Sequence, residues 1–169
     1  MRLSAREICR FFLSSITLAE GSILSGWVRR PFATGVSKYA DRKGNLPASG
    51  PLIYLEVKPG WFKGTVFAIV DTAAPWCIFE PTVGEFIRES FDQVSEEVSL
   101  STRIGIFWGA LYRGPLFVPA LEGEPLDVEA TVFVSPDWRG PNFIGYEGLL
   151  QRIRFAVDPE VNLFYFGRI

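Results

Sequence analysis

From Leu52 onward the chain is written in short apolar runs, each closed by glycine, proline or a polar cluster, and that punctuation restricts it to a strand-rich fold. Residues 52–57 and 64–70 flank Lys58-Pro59-Gly60-Trp61, whose composition is that of a turn, and together they predict a β-hairpin. Residues 104–112, 116–121 and 126–134 follow, separated by Gly114-Pro115 and by Glu122-Gly123-Glu124-Pro125, and read as successive antiparallel strands. Phe155 and Val157 resume the alternation, and residues 163–166 predict a closing strand. Helices are few. Behind Pro81, Thr82 and Glu85 make a capping-box pattern ahead of Val83, Phe86, Ile87, Phe91 and Val94, on or close to one helical face. Leu149, Leu150 and Ile153 suit a second, short helix after Gly148. A chain of 169 residues is one domain's worth and buries about two-thirds of the surface it exposes when unfolded.

Charge divides the chain unevenly. Residues 1–50 carry 8 Lys/Arg against 3 Asp/Glu, and residues 51–169 carry 9 against 16, so a basic segment precedes an acidic domain. Within the basic segment, Ile8, Phe11, Phe12, Ser15, Ile16 and Ala19 fall near helical spacing and predict a short amphipathic helix over residues 6–19. Arg2, Arg6 and Arg10 ahead of an apolar stretch resemble an export signal, but Glu7, Ser14, Ser15 and Thr17 interrupt it, and no run approaches the roughly 20 apolar residues of a membrane span. The expectation is a cytoplasmic protein, with export or membrane association through this segment as the alternative. Residues 29–50 show no sustained period and read as a linker, which puts the domain boundary between residues 50 and 51. A formal charge of -2 argues against nucleic acid as a partner.

The chain contains no histidine, which excludes Ser-His-Asp triads, Cys-His nucleophiles and every His-containing metal site. Cys9 and Cys77 are too few for a structural zinc site, and Cys77, between Trp76 and Ile78, is expected to be a buried, inert thiol. Carboxylate chemistry is what remains. A glycosidase pair drawn from Glu80, Glu85, Glu96, Glu97 and Asp137 has no spacing that links its members, and solvated positions explain them better. Phe107, Trp108 and Tyr112 either line a groove or pack the sheet, with packing as the default. Asp71 stands apart, because it closes the apolar run Phe67-Ala68-Ile69-Val70. A carboxylate there is either a turn-former that satisfies local amides or a site residue. A second signal follows downstream, where Asn142-Phe143-Ile144-Gly145 leads into the second expected helix.

Taken together, Val70-Asp71-Thr72-Ala73-Ala74 and Phe143-Ile144-Gly145 resemble the retropepsin-like aspartic proteases, the single-domain, retroviral type. In that family a strand ends in Asp-Thr/Ser-Gly-Ala, and a later pair of hydrophobic residues plus Gly packs beneath the loop. The resemblance covers residues 51–169 and implies an all-β dominated acid-protease half-barrel with one or two short helices. It implies an aspartic endopeptidase with Asp71, Thr72 and Ala73 in the catalytic loop and Arg103, Ile104, Gly105, Ile106 and Phe107 in a flap over the substrate. Phe143, Ile144 and Gly145 support the floor of the site. Members of the family hold a water between two Asp carboxylates, one ionised and one protonated, because adjacent like charges push the two apart in acidity. With one such loop per chain, the second Asp71 comes from another copy, so the implied assembly is a homodimer acting on a peptide or protein substrate with no metal or organic cofactor. Residues 163–166 are either part of the dimer interface, by analogy with the family, or an internal strand.

Two residues depart from the family pattern. Ala73 stands where Gly is usual, and a β-carbon there costs about 1–2 kcal/mol if the backbone requires a positive φ. Pro75 stands where relatives carry Ser, Thr or Asp, and brings neither a side-chain partner nor an N–H. Both bear on turnover more than on fold. They keep a second reading open, a retropepsin-fold protein that binds peptides or dimerises without cleaving.

Overall fold

The computed structural model describes residues 32–40 and 52–169. The helix expected over residues 6–19, Cys9 and most of the basic extension lie outside the described residues. The compact unit begins at Ala33, earlier than the boundary expected at residue 51. The reason is strand β1 (Gly35–Lys38), which lies in the stretch read as linker and pairs with residues more than a hundred positions away, Gly35 opposite Phe166 and Lys38 opposite Leu163. Among the described residues no helix is long and apolar enough to cross a membrane.

The unit is mostly strand. The expected hairpin forms from β2 (Tyr54–Pro59) and β3 (Val66–Asp71), with Tyr54 opposite Ile69 and Val57 opposite Val66. Leu55 and Val57 are fully buried while Glu56 and Lys58 lie at intermediate depth, the period of a strand with one face in the core. The remaining strands are β4 (Cys77–Ile78), β5 (Asp92–Thr102), β6 (Gly105–Val118), β7 (Glu122–Gly123), β8 (Leu126–Val134), β9 (Phe143–Gly145), β10 (Ile153–Asp158) and β11 (Leu163–Arg168). The first sheet runs β2-β3-β9-β4-β8-β6, and a further pairing of β6 with β2 closes these six strands on themselves; β5 is attached outside, along β6. The second sheet has the order β10-β11-β1-β7. Leu55, Leu116, Ile144, Phe164 and Phe166, drawn from both sheets, are fully buried in one cluster.

Helix α1 (Pro81–Ser90) covers part of the sheet with Val83 and Ile87, both fully buried and each contributing on the order of 1.5–3 kcal/mol. Its cap lies two residues earlier than the Thr82 of the expected capping box: Pro81 occupies the first turn, Glu80 is the cap, and its carbonyl accepts the Gly84 N–H at 2.9 Å. It also stops earlier, since Val94 belongs to β5. The second expected helix is a single 3-10 turn, Leu150–Arg152. Gly114-Pro115, expected as a turn, lies inside β6, with Gly114 opposite Ala130 and Pro115 opposite Glu129. The Phe91 ring explains the glycine: a β-carbon at Gly114 would lie 2.7 Å from that ring's edge and closer still to other ring atoms.

Candidate active site

Asp71 is the last residue of β3, and the three-residue strand β9 lies beside it. β9 is parallel to β3, with Asp71 level with Gly145, and antiparallel to β4, with Phe143 opposite Ile78. The segment after Asp71 therefore passes over the end of β9. Asn142 helps hold it there: its side chain donates to the Phe67 carbonyl at 3.1 Å and accepts the Glu80 N–H at 2.7 Å. Gly145 is the contact point, because a β-carbon on it would overlap the carbonyl group of Trp76 and come within 2.8 Å of the Ala74 oxygen. Two backbone bonds tie the loop down, Tyr146 N–H to the Ala74 carbonyl at 2.7 Å and Gly148 N–H to the Pro75 carbonyl at 2.9 Å. Pro75 thus contributes through its carbonyl, the one polar group it has.

Asp71 is half-buried, and its Oδ1 accepts the Ala73 N–H at 2.9 Å. That bond is what a turn-forming aspartate makes. The same residue also lines a cavity of about 610 Å³, together with Ala73, Ala74 and Pro75. The tip of the β5–β6 hairpin, residues 100–104, lines the same cavity, as do Ile78, Trp138, Pro141 and Phe143. The hairpin turns tightly: Thr102 pairs with Gly105, and the Thr102 Oγ1 accepts the Ile104 N–H at 3.2 Å and donates to the Gly105 carbonyl at 2.9 Å.

Of the residues singled out by sequence, Asp71, Ala73, Arg103, Ile104 and Phe143 meet in this cavity. Thr72 is exposed beside it, and Gly105 and Ile106 are exposed along the hairpin. Phe107, opposite Leu100 in the hairpin register, does not line the cavity itself but packs edge-on against Trp138, which does, with ring centroids 5.1 Å apart. Ile144 is fully buried. Trp138, Leu100 and Pro141 were not anticipated. Trp138 could have been, as an aromatic residue set among Pro136, Arg139, Gly140 and Pro141. Glu85, Glu96 and Glu97 line a separate groove of about 500 Å³ with Arg88 and Arg139.

Ala73 does not carry the strain that its position could have imposed. Among the described residues the non-glycine at positive φ is Asn162, at 56°. A glycine at residue 73 would therefore gain nothing in the folded state and would loosen the unfolded chain by about 0.4–1 kcal/mol. Ala73→Gly is expected to lower the melting temperature by about 1–4 °C in a thermal melt.

Cys77, on β4 below the loop, is fully buried, and burial pushes its thiol up to about 12 against the smaller opposing effects of a Gly145 backbone hydrogen bond and the Arg152 charge. The thiol stays protonated at ordinary pH and is a poor nucleophile. Iodoacetamide at about pH 8 should leave Cys77 unmodified in the native protein and alkylate it after unfolding, as read by mass spectrometry of the peptide that contains it.

No family model matches the chain, and no curated protein matches it. Among solved structures it is similar to a retropepsin-like aspartic protease from Rickettsia conorii, at 15% identity and a TM-score of 0.42, over 78% of this chain and 98% of that one.

Proposed function

We propose that the chain is an aspartic endopeptidase of retropepsin type, active as a homodimer that brings together one Asp71 from each copy. The observation that carries this reading is the mostly apolar cavity that Asp71, at the end of an apolar strand, shares with the tip of a long hairpin. In the proposed reaction one Asp71 takes a proton from the attacking water while the other donates one to the carbonyl oxygen of the scissile peptide. The tetrahedral product then collapses with the C–N bond breaking and a proton passing to the amine. The β5–β6 hairpin covers the substrate and excludes water.

The dimer axis must pass close to the Asp71 loop. Thr72 and Ala73 are exposed there, and Tyr146, bonded to the loop through its N–H, is 47% exposed, so this face is the proposed contact surface. The closing strand β11 is paired on both edges, with β10 and with β1, and has no free edge for a strand-to-strand contact between copies. That saturation favours the second reading, a peptide-binding protein of the same fold that does not cleave. Incubating wild type and Asp71→Asn with a mixed peptide library from mildly acidic to neutral pH separates the two. Cleavage that disappears in the variant supports the peptidase. Equal binding without cleavage by either protein would establish the binding module.

A further inference from the structure

The cavity has two charged residues in its wall, Asp71 at the end of β3 and Arg103 on the tip of the β5–β6 hairpin; the rest of the lining is apolar or carries a hydroxyl. Arg103 is exposed, and no ion pair joins it to a carboxylate among the described residues. Arg113 and Arg152, by contrast, each pair with Glu129, at 3.5 Å and 3.6 Å. Its backbone position is nonetheless well defined, since the Thr102 hydroxyl bonds on both sides of the two-residue turn that carries it. A guanidinium and a carboxylate on different elements of one mostly apolar wall give the cavity a polarity, negative at Asp71 and positive at Arg103.

We infer that Arg103 is a specificity-determining residue that selects peptides carrying an acidic side chain beside the apolar residue seated against Ile78, Leu100 and Trp138. This rests on the peptide-binding role proposed above and adds a substrate class to it. An acidic side chain is repelled at the Asp71 side and attracted at the Arg103 side, so it fixes the direction of the bound peptide as well as its affinity. A basic side chain meets the opposite field. Arginine suits the task because it stays charged at every working pH and can grip a carboxylate with two N–H groups.

The test uses fluorescein-labelled peptides with an apolar centre, in which Glu, Gln or Lys is placed at each flanking position in turn. Anisotropy gives their affinity for the full chain carrying Asp71→Asn, so that binding is read without cleavage. At one position Glu should bind about three- to tenfold tighter than Gln, with Lys weakest, and the preference should shrink as salt rises to about 1 M. Adding Arg103→Gln should level the series, and Arg103→Glu should reverse it. Circular dichroism melts confirm that both variants are folded. If peptides bind but their charge preference is absent, or is unchanged by both Arg103 variants, this inference fails while the peptide-binding role stands. If no peptide binds at any charge, that role fails and the inference with it.

Discussion

Mixing wild-type protein with Asp71→Asn should poison the wild-type subunits. A dyad built from one carboxylate per copy is complete only when both copies are wild type. After random exchange at equal amounts, about a quarter of the dimers keep both carboxylates and about half are mixed. Wild-type subunits then work at about half the rate they show alone, and a large excess of the variant silences them. The variant by itself should cleave about 10²–10⁴-fold more slowly, the usual contribution of one general acid or base. A rate that simply tracks the amount of wild type added, with no loss on mixing, would show that each copy is complete by itself and would remove the shared dyad. Sedimentation under the same conditions fixes the stoichiometry independently.

The parts of this site that could be read in the sequence are those in which neighbours in space are announced by local pattern. The apolar run ending at Asp71 and the Phe143-Ile144-Gly145 triplet each mark a strand whose last residue faces a loop, and they lie side by side with Asp71 level with Gly145. The β2–β3 hairpin was legible for the same reason, because a Pro-Gly turn separates two apolar runs. What escaped depends on distant partners or on a broken period. β1 is short and takes its place from β11 at the far end of the chain. β5 is polar, and its register against β6 shifts between Gln93 and Ser95 and again between Ser95 and Val98, so its buried residues do not alternate as a regular strand's would. Gly114-Pro115 has the composition of a turn, but the Phe91 ring requires the glycine and the Pro115 carbonyl accepts the Gly60 N–H at 2.8 Å, which keeps the pair inside β6. In each case tertiary packing overrides a local propensity.

Gly145→Ala should cost about 3 kcal/mol, a fall of roughly 6–12 °C in melting temperature. The added β-carbon meets main-chain atoms of Trp76 and Ala74, which cannot rotate aside as the tip of a flexible side chain would. Either β9 withdraws or the Asp71 loop lifts. Lifting strains the Tyr146 N–H bond to the Ala74 carbonyl and moves Asp71 relative to the hairpin tip. A displacement on the order of 1 Å at a reacting group is enough to lower a rate about 10²-fold, so cleavage should fall further than the fraction of unfolded protein explains. Gly64→Ala is the matched control. Gly64 has φ +93° but open space around it, so its substitution carries the conformational cost of about 1–2 kcal/mol without a collision. If the two variants melt together and cleave alike, the close approach at Gly145 is not what requires a glycine, and β9 is not the wedge that sets the height of the Asp71 loop. If Gly145→Ala loses more stability than Gly64→Ala and is alone in losing rate, the third residue of the Phe143-Ile144-Gly145 triplet positions the carboxylate through backbone contact.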